Sequence, residues 1–266
     1  MEYRLNAGIG DRTPASLVPA VTHAVDILNY LAHESPEAGV SEIARALNIN
    51  KSTCFNILAA LAAAQLVTKQ ARYAAYRLGP RLIELGAAAR RNISRHGAMR
   101  EHLRRLVDEV GLTGVVGQVL ADSSGIVIVD RLLPQRPDAL SAPIGHIYPM
   151  SAPAMGLVVL AGRDEAQALD LARSSQLLKA DGGKDFVAHM REIRLRGYAV
   201  DLGDFQPDIN AVAVVANQSD EMETVLCIIG YTRHLPRKTV NVLGERLAAL
   251  ARSVNFEAPL PLLPAR

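Results

Sequence analysis

A chain of 266 residues has room for two domains; 49% apolar side chains can fill sizeable cores, built from Ala, Val, Leu and Ile because aromatics reach only 4%. Two distant cysteines, Cys54 and Cys227, exclude a disulfide framework and a thiolate metal cluster, and the absence of a bilayer-length apolar run or a signal-peptide pattern leads us to expect a cytoplasmic protein without a cofactor. The net charge of +2 divides unevenly: residues 1–96 hold eleven Lys or Arg against seven Asp or Glu, and residues 97–266 are net acidic, so a nucleic-acid partner would sit at the front half.

In chain order, residues 1–16, with Gly8, Gly10 and Pro14, read as a disordered tail. Residues 18–33 form an amphipathic helix with Val21, Val25, Leu28 and Leu31 on its apolar side. After a Ser35-Pro36 turn, Ser41 is placed to cap a short helix whose stripe is Ile43, Ala44 and Leu47. Asn48-Ile49-Asn50 turns the chain, and Asn50 caps a second helix. There Cys54, Ile57, Leu58 and Leu61 follow i, i+3, i+4, i+7 and face inward.

At 100° per residue, Ser52, Asn56, Ala59 and Ala63 fall on the opposite face. A solvated helix face normally carries Lys and Glu, so one built of short side chains suits close approach to a partner. A helix-turn-helix puts the start of its second helix into the DNA major groove. Lys51, Ser52 and Thr53 could then meet phosphates, Asn56 an adenine edge and Phe55 a thymine methyl, with Ser41 a further DNA-binding candidate. The bland alternative is an ordinary antiparallel helix pair.

Residues 65–69 and 75–78 read as two strands, and a hairpin directly after such a helix makes a winged helix. Lys69, Arg72 and Arg77 give the wing reach to phosphates, or are scattered surface charges. Gly79-Pro80 ends the wing, and residues 81–95 form a helix with Leu82, Ile83 and Leu85 on its apolar side, able to link two domains and pair with its copy. Another helix spans 99–110.

From Gly111 strands and helices alternate. Strands are expected at 113–120, 125–131, 198–202, 211–216 and 224–230, and helices at 154–160, 164–171 and 184–196 with a last one from Pro236. That is an α+β domain with a mostly antiparallel sheet. Within it His146, Tyr148 and Ser151 could hydrogen-bond a small molecule, and Met150 and Met155 could wall it or simply fill the core. Ser151 could equally cap the following helix, and Arg131 is a carboxylate partner or a surface charge.

Four segments make the chain resemble the IclR-type transcriptional regulators: Val40-Ser-Glu-Ile-Ala-Arg-Ala-Leu with Lys51-Ser-Thr, Tyr76-Arg-Leu-Gly-Pro-Arg-Leu82, the stretch 149–161 ending Met155-Gly-Leu-Val-Val-Leu-Ala161, and Ile193-Arg-Leu-Arg-Gly-Tyr-Ala-Val-Asp201 followed by Ala211-Val-Ala-Val. The likeness runs from about residue 18 to 256. It implies a winged helix-turn-helix DNA-binding domain (17–79), a linker helix (80–96), a GAF-like effector-binding domain (97–256) and a short tail (257–266). It also implies a homodimer or dimer of dimers on a pseudo-palindromic double-stranded operator, repressing or activating a catabolic operon under a small carboxylic or aromatic effector.

By the same resemblance the pocket is closed by 145–156 and lined opposite by 201–215, which nominates Gly145, His146, Met150, Ser151, Ala152, Met155, Gly156, Asp201 and Ala211. The family's common His-Ala-Thr-Ala run and following Lys are replaced here by Ser151, Ala152, Pro153, Ala154 and Leu157, and a frequent Cys by Ala211, so a less polar pocket is expected. The competing classes are a hydrolase-like enzyme and a ligand-sensing module acting through protein contacts. No Gly-x-Ser-x-Gly elbow, phosphate loop or paired-histidine metal spacing supports the first.

Overall fold

The computed structural model describes residues 18–70, 74–93, 97–175, 177, 184–218 and 223–256, and the chain divides into two units, 1–92 and 93–266. The predicted tails at 1–16 and 257–266 lie outside the described residues, as do 94–96 at the end of the expected linker helix.

The first unit opens with α1 (Pro19–His33), where proline at the first position brings a preset φ and no missing donor. Its inward side is Ile27, Tyr30 and Leu31 with Ala24 and Leu28. Half of the expected stripe, Leu28 and Leu31, turns in, and the other half does not: Val21 is 62% and Val25 41% exposed. Two apolar stripes overlap on this helix, and burying Ile27 and Tyr30 removes more apolar surface from water than burying the two valines.

A strand not expected from sequence, β1 (Ala38–Gly39), leads straight into α2 (Val40–Ala46). Ser41 therefore does not cap this helix. Pairing of Ala38 and Gly39 with the wing draws the start back, leaving Gly39 as N-cap and Ser41 exposed in the first turn. Asn48 takes the left-handed φ of +53° that the turn needs, and buried Ile49 anchors it. α3 (Lys51–Ala63) follows, with Cys54, Ile57, Leu58 and Leu61 buried as expected.

The hairpin is β2 (Val67–Lys69) and β3 (Ala75–Leu78), antiparallel with Val67 opposite Leu78 and Lys69 opposite Tyr76. With β1 it makes a three-stranded sheet in the order β1-β3-β2. α4 (Arg81–Ile93) completes the unit, and its Ile83 and Leu85 stand exposed at 78% and 46%.

The second unit runs α5 (Gly97–Val110), β4 (Thr113–Val119), β5 (Gly125–Leu132), β6 (Ile147–Pro149), α6 (Met155–Ala161), α7 (Glu165–Ser174), α8 (Lys184–Arg196), β7 (Ala199–Leu202), β8 (Ile209–Gln218), β9 (Glu223–Tyr231) and α9 (Arg237–Phe256). The strands form one antiparallel sheet in the order β6-β5-β4-β9-β8-β7. Short β6 is absent from the strands expected from sequence.

Strand periodicity of two sorts the side chains between the sheet's faces. Leu226 and Ile228 pack with Val212, Val214 and the α5 and α9 residues Leu103, Val107, Leu243 and Leu247. Val225 and Cys227 turn the other way, with Val115, Ala211 and Ala213, toward Val158 and Val159 of α6 and Met190 and Ile193 of α8. The architecture is α+β: a winged helix-turn-helix unit followed by a GAF-like unit whose sheet is covered by helices on both faces.

Candidate functional site

The outward face of α3 is set by its cap. The Asn50 side chain accepts from the Ser52 amide at 3.0 Å, and the Ser52 hydroxyl donates to the same Asn50 Oδ1 at 2.8 Å. Ser52 is therefore tied into the cap, and Thr53 is half-buried. Lys51, Phe55, Asn56, Ala59 and Ala63 are exposed together along one side, with Phe55 at 50%. An exposed phenylalanine beside an exposed asparagine is a poor solvated surface and a good reading surface. Asn50→Ala should cost about 1 kcal/mol, seen as a lower melting temperature of this unit, because one orphan donor of α3 loses its acceptor.

Behind α3, the wing is held by Gln70 Nε2, which donates to Glu37 Oε1 at 2.6 Å, and by Arg77 Nε, which donates to Thr68 Oγ1 at 3.3 Å. Lys69 is exposed, its ammonium 5.8 Å from the centre of the Tyr76 ring. Arg72 lies outside the described residues. Arg45, exposed in the last turn of α2, is a further cation of this unit that sequence reading passed over; a basic residue on the polar side of the helix before α3 was the available signal.

On the α6 side of the second unit's sheet lies a cavity of about 180 Å³. Its floor is a row of cross-strand neighbours, Asp201, Ala211 and Ile229 on β7, β8 and β9, with Cys227 and Val115 in the next row. Its walls come from Tyr148 on β6, the turn 152–155 into α6, Phe205 and Gln206 between β7 and β8, and the loop 140–142. Three hydrogen bonds hold that loop: Thr113 Oγ1 donates to the Leu140 carbonyl at 2.6 Å, and Arg131 Nη1 donates to the Ala142 carbonyl at 3.1 Å and to Ser141 Oγ. Arg131 is thus neither a free surface charge nor a lining residue, but a tie behind the wall.

Asp201 is 6% exposed, and its Oδ1 accepts from the amides of Asp204 at 2.8 Å and Phe205 at 3.4 Å. Burial raises its carboxyl above the ordinary value, and those amides pull only partly the other way. Burial also raises the Tyr148 phenol, and burial with the charge of Asp201 raises the Cys227 thiol, which leaves that thiol an inert wall.

Of the nominated residues, Ala152, Met155, Asp201 and Ala211 line the cavity. Gly145, His146, Met150, Ser151 and Gly156 do not. Gly145 and His146 are exposed, and the His146 ring meets Tyr148 edge to face at 4.8 Å from outside the lining. Met150 is 1% exposed in the core. Ser151 sits half-buried in a turn closed by the Ala152 amide on the Pro149 carbonyl, and α6 is capped by Ala154 instead. Sequence reading missed Val115, Cys227 and Ile229. Alternation along two strands put them on one face, but which face held a hole was not written in the pattern.

Two family models match. One, the IclR helix-turn-helix domain, covers residues 20–71; the other, the bacterial transcriptional regulator IclR C-terminal domain, covers residues 86–256. The chain is 24% identical to the HTH-type transcriptional regulator BhcR of Paracoccus denitrificans, over 90% of this chain and 87% of that one. Among solved structures it is similar to an IclR-family transcriptional regulator from Brucella abortus, at 20% identity over 97% of this chain and 99% of that one, with TM-score 0.78. A regulator from Alicyclobacillus acidocaldarius is 28% identical, with 91% and 99% covered and TM-score 0.74.

Proposed function

The chain belongs to the IclR family of bacterial transcriptional regulators, and we propose that it controls a catabolic operon by binding a pseudo-palindromic operator as a dimer or dimer of dimers. It is a regulator with a DNA-binding and an effector-binding domain, like its homologues, and not an enzyme. Among the described residues, no helix is long and apolar enough to cross a membrane.

The observation that carries the reading of the first unit is the exposed face of α3. Lys51 lies at its start, Phe55 and Asn56 in the second turn, and alanines beyond let the helix seat deeply in a groove. In the proposal Asn56 reads adenine and Phe55 touches a thymine methyl, while Lys51, Lys69 and Arg72 meet phosphates and Ser52 positions the helix start. The exposed Ile83 of α4, at 78%, supports pairing with a second copy, since a bulky apolar side chain left in water gains by being covered. In the second unit, an effector in the cavity would shift the equilibrium between arrangements of the dimer's DNA-binding units and so change operator affinity. The sequence leaves that effector as a carboxylic or an aromatic small molecule.

Selection of genomic fragments by the purified full chain at two salt concentrations tests the DNA reading. One short pseudo-palindrome should be recovered, with affinity falling steeply as salt rises. Unrelated fragments washing off uniformly would sink it. Asn56→Ala should lose about 1–3 kcal/mol of discrimination at one base position of that operator, with the salt slope unchanged. Unchanged base preference in this variant would remove Asn56 from the reading surface.

A further inference from the structure

Two carboxylates of the first unit are held by neutral donors. The Tyr30 hydroxyl donates to Glu42 Oε1 at 3.3 Å, and Gln70 Nε2 donates to Glu37 Oε1 at 2.6 Å. The ion pairs of this unit lie elsewhere, between His23 and Asp26 on α1 and between Arg81 and Glu84 on α4. Among the described residues, Arg45 therefore has no acidic partner. Helix geometry alone would give it one. Glu42 precedes Arg45 by three residues on α2, and an acid ahead of a base at that spacing pairs across one helical turn. The chain makes such a pair on α7, where Arg173 Nη1 donates to Asp170 Oδ1 at 2.8 Å. On α2 the pair is pre-empted by a tyrosine of α1 that is 8% exposed.

Position says what the uncommitted guanidinium is for. Ile43, Ala44 and Leu47 turn toward the core, so Ser41 and Arg45, four residues apart, share the exposed face of α2. The Asn48 amide donates to the Arg45 carbonyl at 3.4 Å and the Ile49 amide to the Ala44 carbonyl at 2.8 Å, which sets the end of α2 against the turn into α3. When the second helix of a helix-turn-helix lies in the major groove, its first helix crosses the DNA backbone. An arginine on the exposed face of that first helix reaches a phosphate, and one with no carboxylate to give up keeps the whole gain of a charge-assisted hydrogen bond.

We propose that Arg45 is a phosphate anchor of the DNA-binding unit, and that Tyr30 is a positioning residue that keeps it available by holding Glu42. The inference rests on the DNA reading of the first unit and adds to it a contact outside α3 and the wing. Tyr30 then has two functions: its ring fills the core between α1 and α2, and its hydroxyl keeps an acid away from the base one turn further on.

Fluorescence anisotropy of the full chain on the operator duplex recovered by selection, measured over a range of salt, tests both parts. Arg45→Ala should weaken binding about tenfold. It should also lower the slope of log affinity against log salt by about 0.9 for each half-site, with base preference and melting temperature unchanged. Arg45→Lys, which keeps the charge, should keep the slope. Tyr30→Phe releases Glu42 toward Arg45 and should weaken binding about twofold per half-site, yet cost nothing further once Arg45 is alanine. A Tyr30→Phe loss that persists in the Arg45→Ala background would show that the tyrosine acts through packing alone, and would overturn its positioning role. An Arg45→Ala protein with the wild-type salt slope would overturn the anchor and leave the regulator standing. A wild-type protein that selects no operator would remove the DNA reading, and this proposal with it.

Discussion

Gly79→Ala is expected to unfold the first unit at temperatures where the wild type is folded, and to abolish DNA binding with it. A methyl group at position 79 would fall on the carbonyl oxygen of Gln65, with the backbone carbons of Gln65 and Leu66 just beyond. No rotamer change relieves a clash with main chain. The same carbonyl accepts from the Arg81 amide at 3.4 Å, and the Gly79 amide donates to the Leu66 carbonyl at 2.8 Å, so both bonds between the end of the wing and the end of α3 would be pulled apart. Gln65 is itself in the left-handed region, at φ +59°, which leaves this corner little freedom to absorb a shift.

The cost should reach about 3 kcal/mol or more, at the upper end for overpacking, because backbone rather than side chain must move. In a unit of this size that is a fall of roughly 15 °C in its melting temperature. Gly86→Ala is the matching control: nothing lies within 4 Å of a Cβ at Gly86 in the middle of α4, and alanine there should stabilise the helix by up to about 1 kcal/mol. Differential scanning calorimetry of both variants decides it; a Gly79→Ala protein melting with the wild type would show that the corner yields cheaply.

The contrast between these glycines also shows what was legible in the sequence. Element types could be read from pattern: α3 shows Cys54, Ile57, Leu58 and Leu61 at helical spacing, and β9 carries the apolar run 225–229 followed by Gly230. The phase of α1 was legible only at Leu28 and Leu31, since two apolar stripes overlap there and only the neighbours choose between them. Nor was β1, whose two residues carry no period and pair with Tyr76 and Ala75 from far along the chain. The cavity was half legible. Asp201 and Ala211 came from a resemblance between segments, whereas Cys227 and Ile229 join them only through the register that sets Ala211 opposite both Asp201 and Ile229. Register is a property of pairing, and a one-residue slip would have turned every one of these side chains to the other face.

Gly156 is a residue for which the structure offers a reason other than ligand contact. The glycine belongs to the segment nominated for ligand contact, yet it lies outside the cavity lining, buried against the turn that precedes α6. A Cβ there would fall on the Met150 carbonyl, with the Met150 carbonyl carbon and Cα next in line. Met150 is 1% exposed and cannot retreat, so α6 must move away from the turn. That movement carries Ala154 and Met155, two residues of the cavity wall, and strains the Gly156 amide bond, now 2.8 Å, to the carbonyl of Ala152, which stays with the turn.

Gly156→Ala should therefore destabilise the second unit by about 3 kcal/mol and lower its melting temperature by roughly 10 °C. Effector response should disappear, while operator binding by the first unit persists at temperatures where the variant is folded. A glycine acting by direct contact would predict something else: weaker effector binding with the melting temperature unchanged. Measuring both on one preparation separates a positioning residue from a ligand contact, and a variant that keeps wild-type stability and wild-type response would show that α6 can give way at Met150 without disturbing the wall.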